Sequence, residues 1–242
     1  IVTSLGQEIL KKAQRIKLDV QDIKELAKQN SQALNHPISL GIIPTVSPYF
    51  LPLILPTLQK EFPNLTLRIE ELQSQFLIKK LKEGELDMAV LALPYDLKGL
   101  ISLKFWEEDF YLVSHKENKN AGATEIKANQ LDQSKLMLLD DGHCLKDHIL
   151  DACNMANASK HSLKASSLLT LIQLVKGQMG STLVPKMALK ELVGSRKELS
   201  ISHLNEPGPH REIALIVREN YAGFESAMLL LEFFKRSLKK NS

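Results

Sequence analysis

The chain has little cysteine, with two residues in 242, and a single tryptophan. Two cysteines are too few for the disulfide framework of a small secreted protein, so this pair is expected to be redox-active, catalytic or incidental. The sequence contains no run of about 18 apolar residues, which excludes an ordinary membrane-spanning helix. Its first residues also lack the basic and apolar regions of a signal peptide. These absences predict a cytoplasmic protein with no membrane partner.

Several catalytic signatures are also missing, namely GxSxG, GxxxxGK, GxGxxG, CxxC and HExxH. Their absence argues against serine hydrolases, P-loop and dinucleotide-binding proteins and the commonest zinc sites. His143, Cys144, Asp147 and His148 include pairs four residues apart, a spacing that can ligate zinc, but the remaining histidines are scattered. We therefore expect neither a metal nor another cofactor.

The charge of the chain is nearly balanced, at +3 overall. Nucleic-acid-binding modules usually carry a denser basic patch, so charge alone does not indicate DNA binding. The length and the 44% of hydrophobic residues allow a substantial core, in one large domain or in two lobes. Because the first residue is not Met, we expect a fragment of a longer protein.

Residues 4–34 predict one long helix, which the breaker Asn35-His36-Pro37 would end. Its apolar residues recur at alternating spacings of four and three, which is the seam of a coiled coil. The seam residues are Ile9, Ala13, Ile16, Val20, Ile23 and Ala27. So narrow a stripe favours pairing with a second helix, and the alternative is an amphipathic helix packed on its own domain.

From residue 38 onwards, short apolar runs alternate with helical patterns. A strand–helix–strand–helix–strand order over 38–93 recurs over 136–193 and predicts an α/β fold with two lobes of similar size. A last strand at 211–217 and a helix at 222–240 are expected to complete the first lobe. Pro52 and Pro56 predict a short or kinked helix within 48–62.

Four segments resemble the effector-binding domain of LysR-type transcription regulators, namely ISLGIIPT (38–45), FPNLTLRIEE (62–71), LKEGELDMAVLAL (81–93) and GSTLVPK (180–186). The resemblance implies two Rossmann-like lobes, as in periplasmic binding proteins, preceded by a linker helix. VTSLGQEIL (2–10) resembles the end of that family's winged helix-turn-helix. The resulting boundaries are 1–36 for this remnant and the dimerising linker helix, 37–110 completed by 211–242 for lobe I, and 111–210 for lobe II.

Two further segments are similar to the peroxide-sensing, OxyR-type members of the family: GIIPTVSPYFLP (41–52) and LLDDGHCLKDHILDAC (138–153). In those members a peroxide-reactive cysteine follows Gly-His and a resolving cysteine lies nine residues later, here Cys144 and Cys153. The resemblance implies a regulator rather than an enzyme, in which a sulfenic acid at Cys144 becomes a disulfide that remodels the domain. The implied partners are hydrogen peroxide, thiol reductants, promoter DNA through the missing N-terminal domain, RNA polymerase, and further copies in a homodimer or homotetramer.

The position of Cys144 is compatible with a reactive thiol, which the resemblance favours. It follows a strand and a glycine, at the start of a helix predicted over 143–156, where unpaired N–H groups favour a thiolate. His143 and Lys146 would help to stabilise the thiolate. Three aspartates would oppose it: Asp140, Asp141 and Asp147. The alternative is a buried structural cysteine.

The spacing to Cys153 sets a geometric requirement. If one helix joins the two cysteines, they lie roughly 13 Å apart along its axis, whereas a disulfide needs Cβ atoms at about 3.8 Å. Oxidation must then unwind part of the segment, which would supply the two-state element of a sensor. The alternative is that Cys153 only packs in the core, beside Ile149 and Ala152.

The resemblance also assigns residues that bind the peroxide or support the thiol. These residues are Thr45, Ser74, His143, Lys146, Asp147 and Arg218. Ser74 stands where family members commonly have Thr, and Lys146 replaces a common Arg, which keeps the charge and loses the bidentate fork. Any of the six could instead be an ordinary capping or solvated residue.

Three other functions compete with peroxide sensing. The first is a LysR-type domain whose effector is a small metabolite held between the lobes, with incidental cysteines. The second is a stand-alone thiol peroxidase, against which the coiled-coil seam and the winged-helix remnant argue. The third is an extracytoplasmic solute-binding protein, which a gene encoding a signal peptide would identify.

Overall fold

The computed structural model describes residues 2–10, 12–13, 16, 20, 23, 34–119, 121–156 and 163–240. Residues 4–10 and the described positions from 12 to 23 are helical and are called α1. The Thr3 hydroxyl accepts a hydrogen bond from the N–H of Gly6 at 3.1 Å and caps this helix. Leu34 is a buried turn residue with φ +68°, so the predicted helix ends before it.

The predicted seam lies on a solvent-exposed stripe of α1 wherever it is described. Ile16 and Ile23 are each 64% exposed, and Ile9 and Val20 are similarly accessible. Ala27, the last residue of the seam, lies outside the described residues. None of the helices in the described part of the chain is long and apolar enough to cross a membrane.

Lobe I is built on a mixed five-stranded sheet in the order β2-β1-β3-β11-β4. β1 runs parallel to β2 and β3, because helices connect them, whereas β11 is antiparallel to both of its neighbours. The strands are β1 (Ile38–Ile42), β2 (Leu67–Glu71), β3 (Met88–Leu93), β4 (Leu100–Glu108) and β11 (Arg211–Arg218). The helices are α2 (Ser47–Glu61), α3 (Ser74–Lys82) and α7 (Phe224–Lys240).

The helix at 48–62, which was expected to be short or kinked, is not short. α2 runs for 15 residues, with Pro52 and Pro56 inside it. Both prolines lie on its exposed face, where water can satisfy the carbonyl groups that lose an N–H partner. The opposite face is buried, and Phe50 packs edge-on against Phe234 of α7 at a centroid distance of 5.0 Å.

Lobe II contains a four-stranded sheet in the order β6-β10-β5-β9 and a small parallel pair, β7-β8. Its strands are β5 (Phe110–His115), β6 (Glu125–Ile126), β7 (Leu138–Leu139), β8 (Lys164–Ala165), β9 (Thr182–Pro185) and β10 (Leu199–Leu204). Its helices are α4 (Cys144–Ala152), α5 (Leu168–Lys176) and α6 (Lys186–Leu192), with a 3-10 turn at Ala128–Gln130.

The chain passes between the lobes twice, at Asp109 and again over 205–210. Each lobe has its own hydrophobic core, and the two cysteines belong to different ones. Cys144 packs with the core of lobe I although its helix belongs to lobe II, whereas Cys153 packs with the core of lobe II. Helix α4 therefore spans the boundary between the two cores.

Candidate functional site

A glycine directs the chain into α4. Gly142 has φ +93°, and a Cβ built there would lie 2.6 Å from the Oε1 atom of Gln73, so both the backbone and the space favour glycine. His143 is the N-cap residue, and Cys144 is the first residue of the helix. The thiol is thus held at a helix N-terminus, as the sequence predicts.

Helix α4 is shorter than the predicted 143–156, since it ends at Ala152. Asn154 adopts the left-handed conformation (φ +52°), and the N–H of Met155 donates to the carbonyl oxygen of Leu150 at 2.8 Å. This pattern closes helices. Cys153 consequently occupies the C-cap position of α4, at the opposite end of the helix from Cys144.

Three segments meet around the thiol of Cys144. The loop after β1, the start of α3 and the turn before α4 line a narrow crevice. Its lining residues are Ile43, Pro44, Thr45, Gln73, Ser74, Gly142, His143 and Cys144. The structure thus brings Thr45, Ser74 and His143 to the thiol. The crevice leaves no space for a water-sized sphere, and Cys144 is only 6% exposed.

Burial raises the pKa of the Cys144 thiol in this closed form. The nearby Ser74 hydroxyl and the charge of Arg211 lower that pKa, while Asp147 raises it, and the net direction is upward. The Ser74 hydroxyl is itself buried and makes no hydrogen bond of ordinary geometry to the described residues. Desolvation therefore outweighs the helix N-terminus that was expected to favour the thiolate.

A fully buried arginine holds Thr45, and the sequence prediction missed it. Arg211 donates from Nη1 to Thr45 Oγ1 and from Nη2 to the carbonyl oxygen of Thr45, both at 3.3 Å. Its guanidinium also pairs with Glu108, at 2.8 Å from Nε and 2.7 Å from Nη2 to Oε1, and neither side chain is exposed. Glu108 Oε2 accepts the N–H of Met187 at 2.7 Å. The sequence signal that could have identified Arg211 is its position as a charged residue at the start of the apolar run REIALIV.

Arg218, the arginine that the resemblance assigned to the site, lies at the other end of β11. It lies seven positions along the strand from Arg211, which is roughly 24 Å. Its Nη1 atom donates to the carbonyl oxygens of Leu81 and Leu86, at 3.2 and 2.9 Å. The structure does not bring Arg218 to Cys144, and Arg211 occupies the place that was expected for it.

Lys146 and Asp147 lie on the outer side of α4. Lys146 pairs with the exposed carboxylate of Asp141, which also contacts Lys164 at 3.3 Å, and these two partners lower the pKa of Asp141. Lys146 thus ties the first turn of α4 to the turn before it. Asp147 is exposed, and its charge raises the pKa of the Cys144 thiol.

Cys153 is buried and, like Cys144, is a free thiol. Burial raises its pKa to about 11, and the charge of Glu206 adds to this effect. The helix between the two cysteines places them roughly 13 Å apart along its axis. No disulfide can form without a change in α4.

A larger cavity of about 550 Å³ lies between the lobes, next to the crevice. Thr45 and His143 line both spaces. Tyr49, Ser167 and Glu191 line the larger cavity, and burial raises the pKa of Tyr49 to about 12, which keeps its phenol neutral. The cavity has the size of a small-molecule site.

Residues 31–239 match the family described as the LysR substrate binding domain. The HTH-type transcriptional regulator EstR of Acinetobacter baylyi is 36% identical over 97% of this chain and 78% of its own length. A probable hydrogen peroxide-inducible genes activator of Mycobacterium avium is 36% identical over 90% of this chain and 71% of its own. The hydrogen-peroxide-bound form of a cysteine-to-serine variant of Corynebacterium glutamicum OxyR superposes with a TM-score of 0.83, at 33% identity, and the match covers 99% of this chain and 76% of that one.

These matches confirm the α/β fold class and the resemblance to OxyR-type, LysR-family regulators. The relatives are named as regulators of transcription. The family match begins at residue 31 and so covers both lobes almost completely. The chain belongs to the LysR substrate-binding-domain family.

Proposed function

We propose that this chain is the regulatory region of a transcription regulator that senses hydrogen peroxide through Cys144. One observation carries the proposal: a thiol and two hydroxyl groups line one crevice at the start of α4, and the buried Arg211 holds one of these hydroxyl groups, that of Thr45. The relatives named as hydrogen peroxide-inducible gene activators support it, as does the peroxide-bound OxyR structure. Upstream residues would supply the DNA-binding domain.

The first chemical step is oxidation of the thiol. The Cys144 thiolate attacks one peroxide oxygen, so that an S–O bond forms as the O–O bond breaks, and the leaving hydroxide takes up a proton to become water. Thr45 Oγ1, fixed by Arg211, and the Ser74 hydroxyl are available as hydrogen-bond partners for the two peroxide oxygens. Because the crevice is closed, it must open before the peroxide enters, and the water that enters with it lowers the thiol pKa.

The second step joins the two cysteines. The Cys153 thiolate attacks the sulfur of the sulfenic acid, an S–S bond forms, the S–O bond breaks, and hydroxide leaves and is protonated to water. Helix α4 must unwind for this bond to form. Closing a loop of ten residues stabilises the product by only about 2–3 kcal/mol, so the packing lost from α4 keeps the disulfide easily reduced.

Mass spectrometry of the peroxide-treated chain tests the proposal. The native chain should lose both thiols and gain one disulfide between Cys144 and Cys153. Cys153→Ser is the matched control, because it should stop at a sulfenic acid on Cys144 that dimedone traps. Cys144→Ser should show no adduct and no disulfide. Rapid oxidation of Cys153 in that variant would refute the assignment of Cys144 as the reactive thiol.

We further propose that α1 pairs with a second copy, since its apolar stripe is exposed and has coiled-coil spacing. On this proposal residues 1–36 are the end of a winged helix-turn-helix and the linker helix. Dimers would then present two DNA-binding domains to promoter DNA.

A second candidate is a regulator whose effector is a small metabolite between the lobes. The 550 Å³ cavity and the 36% identity to EstR favour it. Thermal-shift screening with small metabolites separates the candidates. This alternative would be favoured by two results together: a metabolite stabilises Cys144→Ser as strongly as it stabilises the native chain, and the native chain does not react with peroxide.

A further inference from the structure

The buried histidine His148 is not used by the steps proposed above. It lies four residues after Cys144 on α4, so the two side chains project from the same face of the helix. His148 is 3% exposed, and its Nε2 atom lies 3.2 Å from the carbonyl oxygen of Pro94. Pro94 directly follows β3 in lobe I. This hydrogen bond therefore ties α4 of lobe II to lobe I.

The partner of Nε2 fixes the protonation of the ring. A carbonyl oxygen can only accept, so Nε2 carries the hydrogen, and in a neutral imidazole Nδ1 then holds a lone pair. Nδ1 is buried and has no hydrogen-bond partner among the described residues. Protonation of Nδ1 in this position would create a buried N–H without an acceptor, which is costly.

The charged groups around His148 come from three elements. Burial lowers its pKa most and the charge of Arg211 on β11 lowers it further, whereas the hydrogen bond to Pro94 and the charges of Asp147 and Asp151 on α4 raise it. Burial raises the pKa of Tyr95, next to Pro94, and the charges of Cys144, Asp147 and Asp96 raise it further. The net direction for His148 is downward, so its imidazole is neutral at pH 7 in this closed form.

We propose that His148 is a positioning residue that latches α4 to lobe I through Pro94 and thereby sets how readily segment 144–153 leaves the helix. His148 lies within that segment, so unwinding has to move it. The latch itself is a property of the closed structure. Its effect on disulfide formation rests on the proposed function.

The latch makes the opening of segment 144–153 depend on pH. The imidazole pKa is lower in the latched form than in the open form, where it approaches the ordinary value of about 6.5. The open form therefore binds more protons, and the stability of the latch is complete above that value and is lost as pH falls below it. Mild acid should open the segment.

Hydrogen exchange in a redox-silent background tests the latch apart from any thiol chemistry. The chain with Cys144→Ser and Cys153→Ser is compared with the same chain carrying His148→Leu or His148→Gln. Leucine removes the donor, whereas glutamine can donate to the Pro94 carbonyl and does not titrate. Loss of one buried hydrogen bond should speed exchange over 144–153 about three- to tenfold in the leucine variant. The glutamine variant should stay within about twofold of its parent, and peptides of α7 should be unchanged in both.

Lowering the pH from 7.5 to 5.5 provides the second readout, after correction for intrinsic exchange. Protection over 144–153 should fall by up to about tenfold in the parent, the limit for a histidine with an open-form pKa of about 6.5. Protection over 144–153 should not fall in His148→Gln. This comparison does not need His148→Leu, so it remains available if that variant fails to fold. An equal loss in parent and glutamine variant would assign the effect to another group, such as the neighbouring His143, and would overturn the latch.

Glutathione redox titration of the chain with both cysteines tests the link to the switch. His148→Leu should shift the equilibrium towards the disulfide by the same factor that exchange reveals, and a tenfold change corresponds to about 30 mV. His148→Gln should titrate like the native chain. If exchange changes but the midpoint does not, the coupling to the disulfide is wrong. If the native chain forms no disulfide at all, the proposed function fails while the exchange result still decides the latch.

Discussion

Replacement of Arg211 by methionine should be among the most damaging single changes in this molecule. Methionine keeps much of the length of the arginine stem but removes the guanidinium, which pairs with Glu108 and donates twice to Thr45. Neither charged side chain has any exposed surface. A buried carboxylate would be left without its counter-charge, and breaking such a pair from one side typically costs about 3–5 kcal/mol.

The double variant Arg211→Met, Glu108→Gln separates charge from packing. Glutamine removes the orphaned charge and keeps an oxygen for the N–H of Met187, which Glu108 accepts at 2.7 Å. We expect the double variant to recover at least about 2 kcal/mol of the loss, since it no longer buries an unpaired charge. Glu108→Gln alone should cost less than Arg211→Met, because the remaining arginine still reaches Thr45.

Urea unfolding gives the free energy of unfolding for the four proteins of this cycle, and stopped-flow oxidation gives the rate at Cys144. The rate should remain low in the double variant although its stability returns, because the arginine no longer lowers the thiol pKa or holds Thr45. A cost below about 1 kcal/mol for Arg211→Met would refute the reasoning, since that is the range of an exposed pair. Native oxidation rates in the double variant would refute the proposed role of Arg211 at the thiol.

Four further changes test the site and its surroundings. Thr45→Val should slow peroxide oxidation about tenfold, by loss of a hydrogen bond, with Thr45→Ser as the control that keeps the hydroxyl in the same stopped-flow assay. Arg218→Met should cost about 1.5–3 kcal/mol in urea unfolding, since two carbonyl groups lose a charged donor, but should leave the oxidation rate unchanged; a slower rate would return Arg218 to the site. Gly142→Ala should destabilise the chain by about 1–3 kcal/mol, because alanine is strained at φ +93°, and native urea stability would contradict that argument. Ile16→Lys combined with Ile23→Lys should weaken association by several kcal/mol in sedimentation, because four charges enter a two-helix seam; unchanged sedimentation would remove the pairing helix.

The two lobes and the cysteine helix were predictable because they rest on local signals. The buried run MAVLAL of β3 and the alternation of strands and helices identify the α/β fold without any tertiary information. The start of α4 was likewise predictable, because Gly142 is a local turn signal directly before His143 and Cys144. The early end of α4 was missed because it depends on the left-handed conformation of Asn154, which sequence alone does not require.

Arg211 and Arg218 illustrate what sequence patterns cannot settle. Both stand at ends of one apolar strand, and the sequence does not tell which end faces the cysteine. That choice depends on the antiparallel insertion of β11 between β3 and β4, which brings its first residue to the carboxyl ends of the parallel strands, where Thr45 lies. The burial of the thiol was equally hidden, because α3 and the loop after β1 come from the other lobe.

The closed crevice bears on how a peroxide sensor achieves selectivity. Only the fraction of molecules with an open crevice can react, and the apparent reactivity falls in proportion to that fraction. Hydrogen peroxide has two heavy atoms, so a small separation of the loop after β1 from the start of α4 suffices to admit it, whereas a bulkier oxidant needs a wider opening. Because Cys144 packs with lobe I on a helix of lobe II, a small shift between the lobes would supply that opening. On the proposed function, the packing that raises the thiol pKa would therefore also discriminate among oxidants by size.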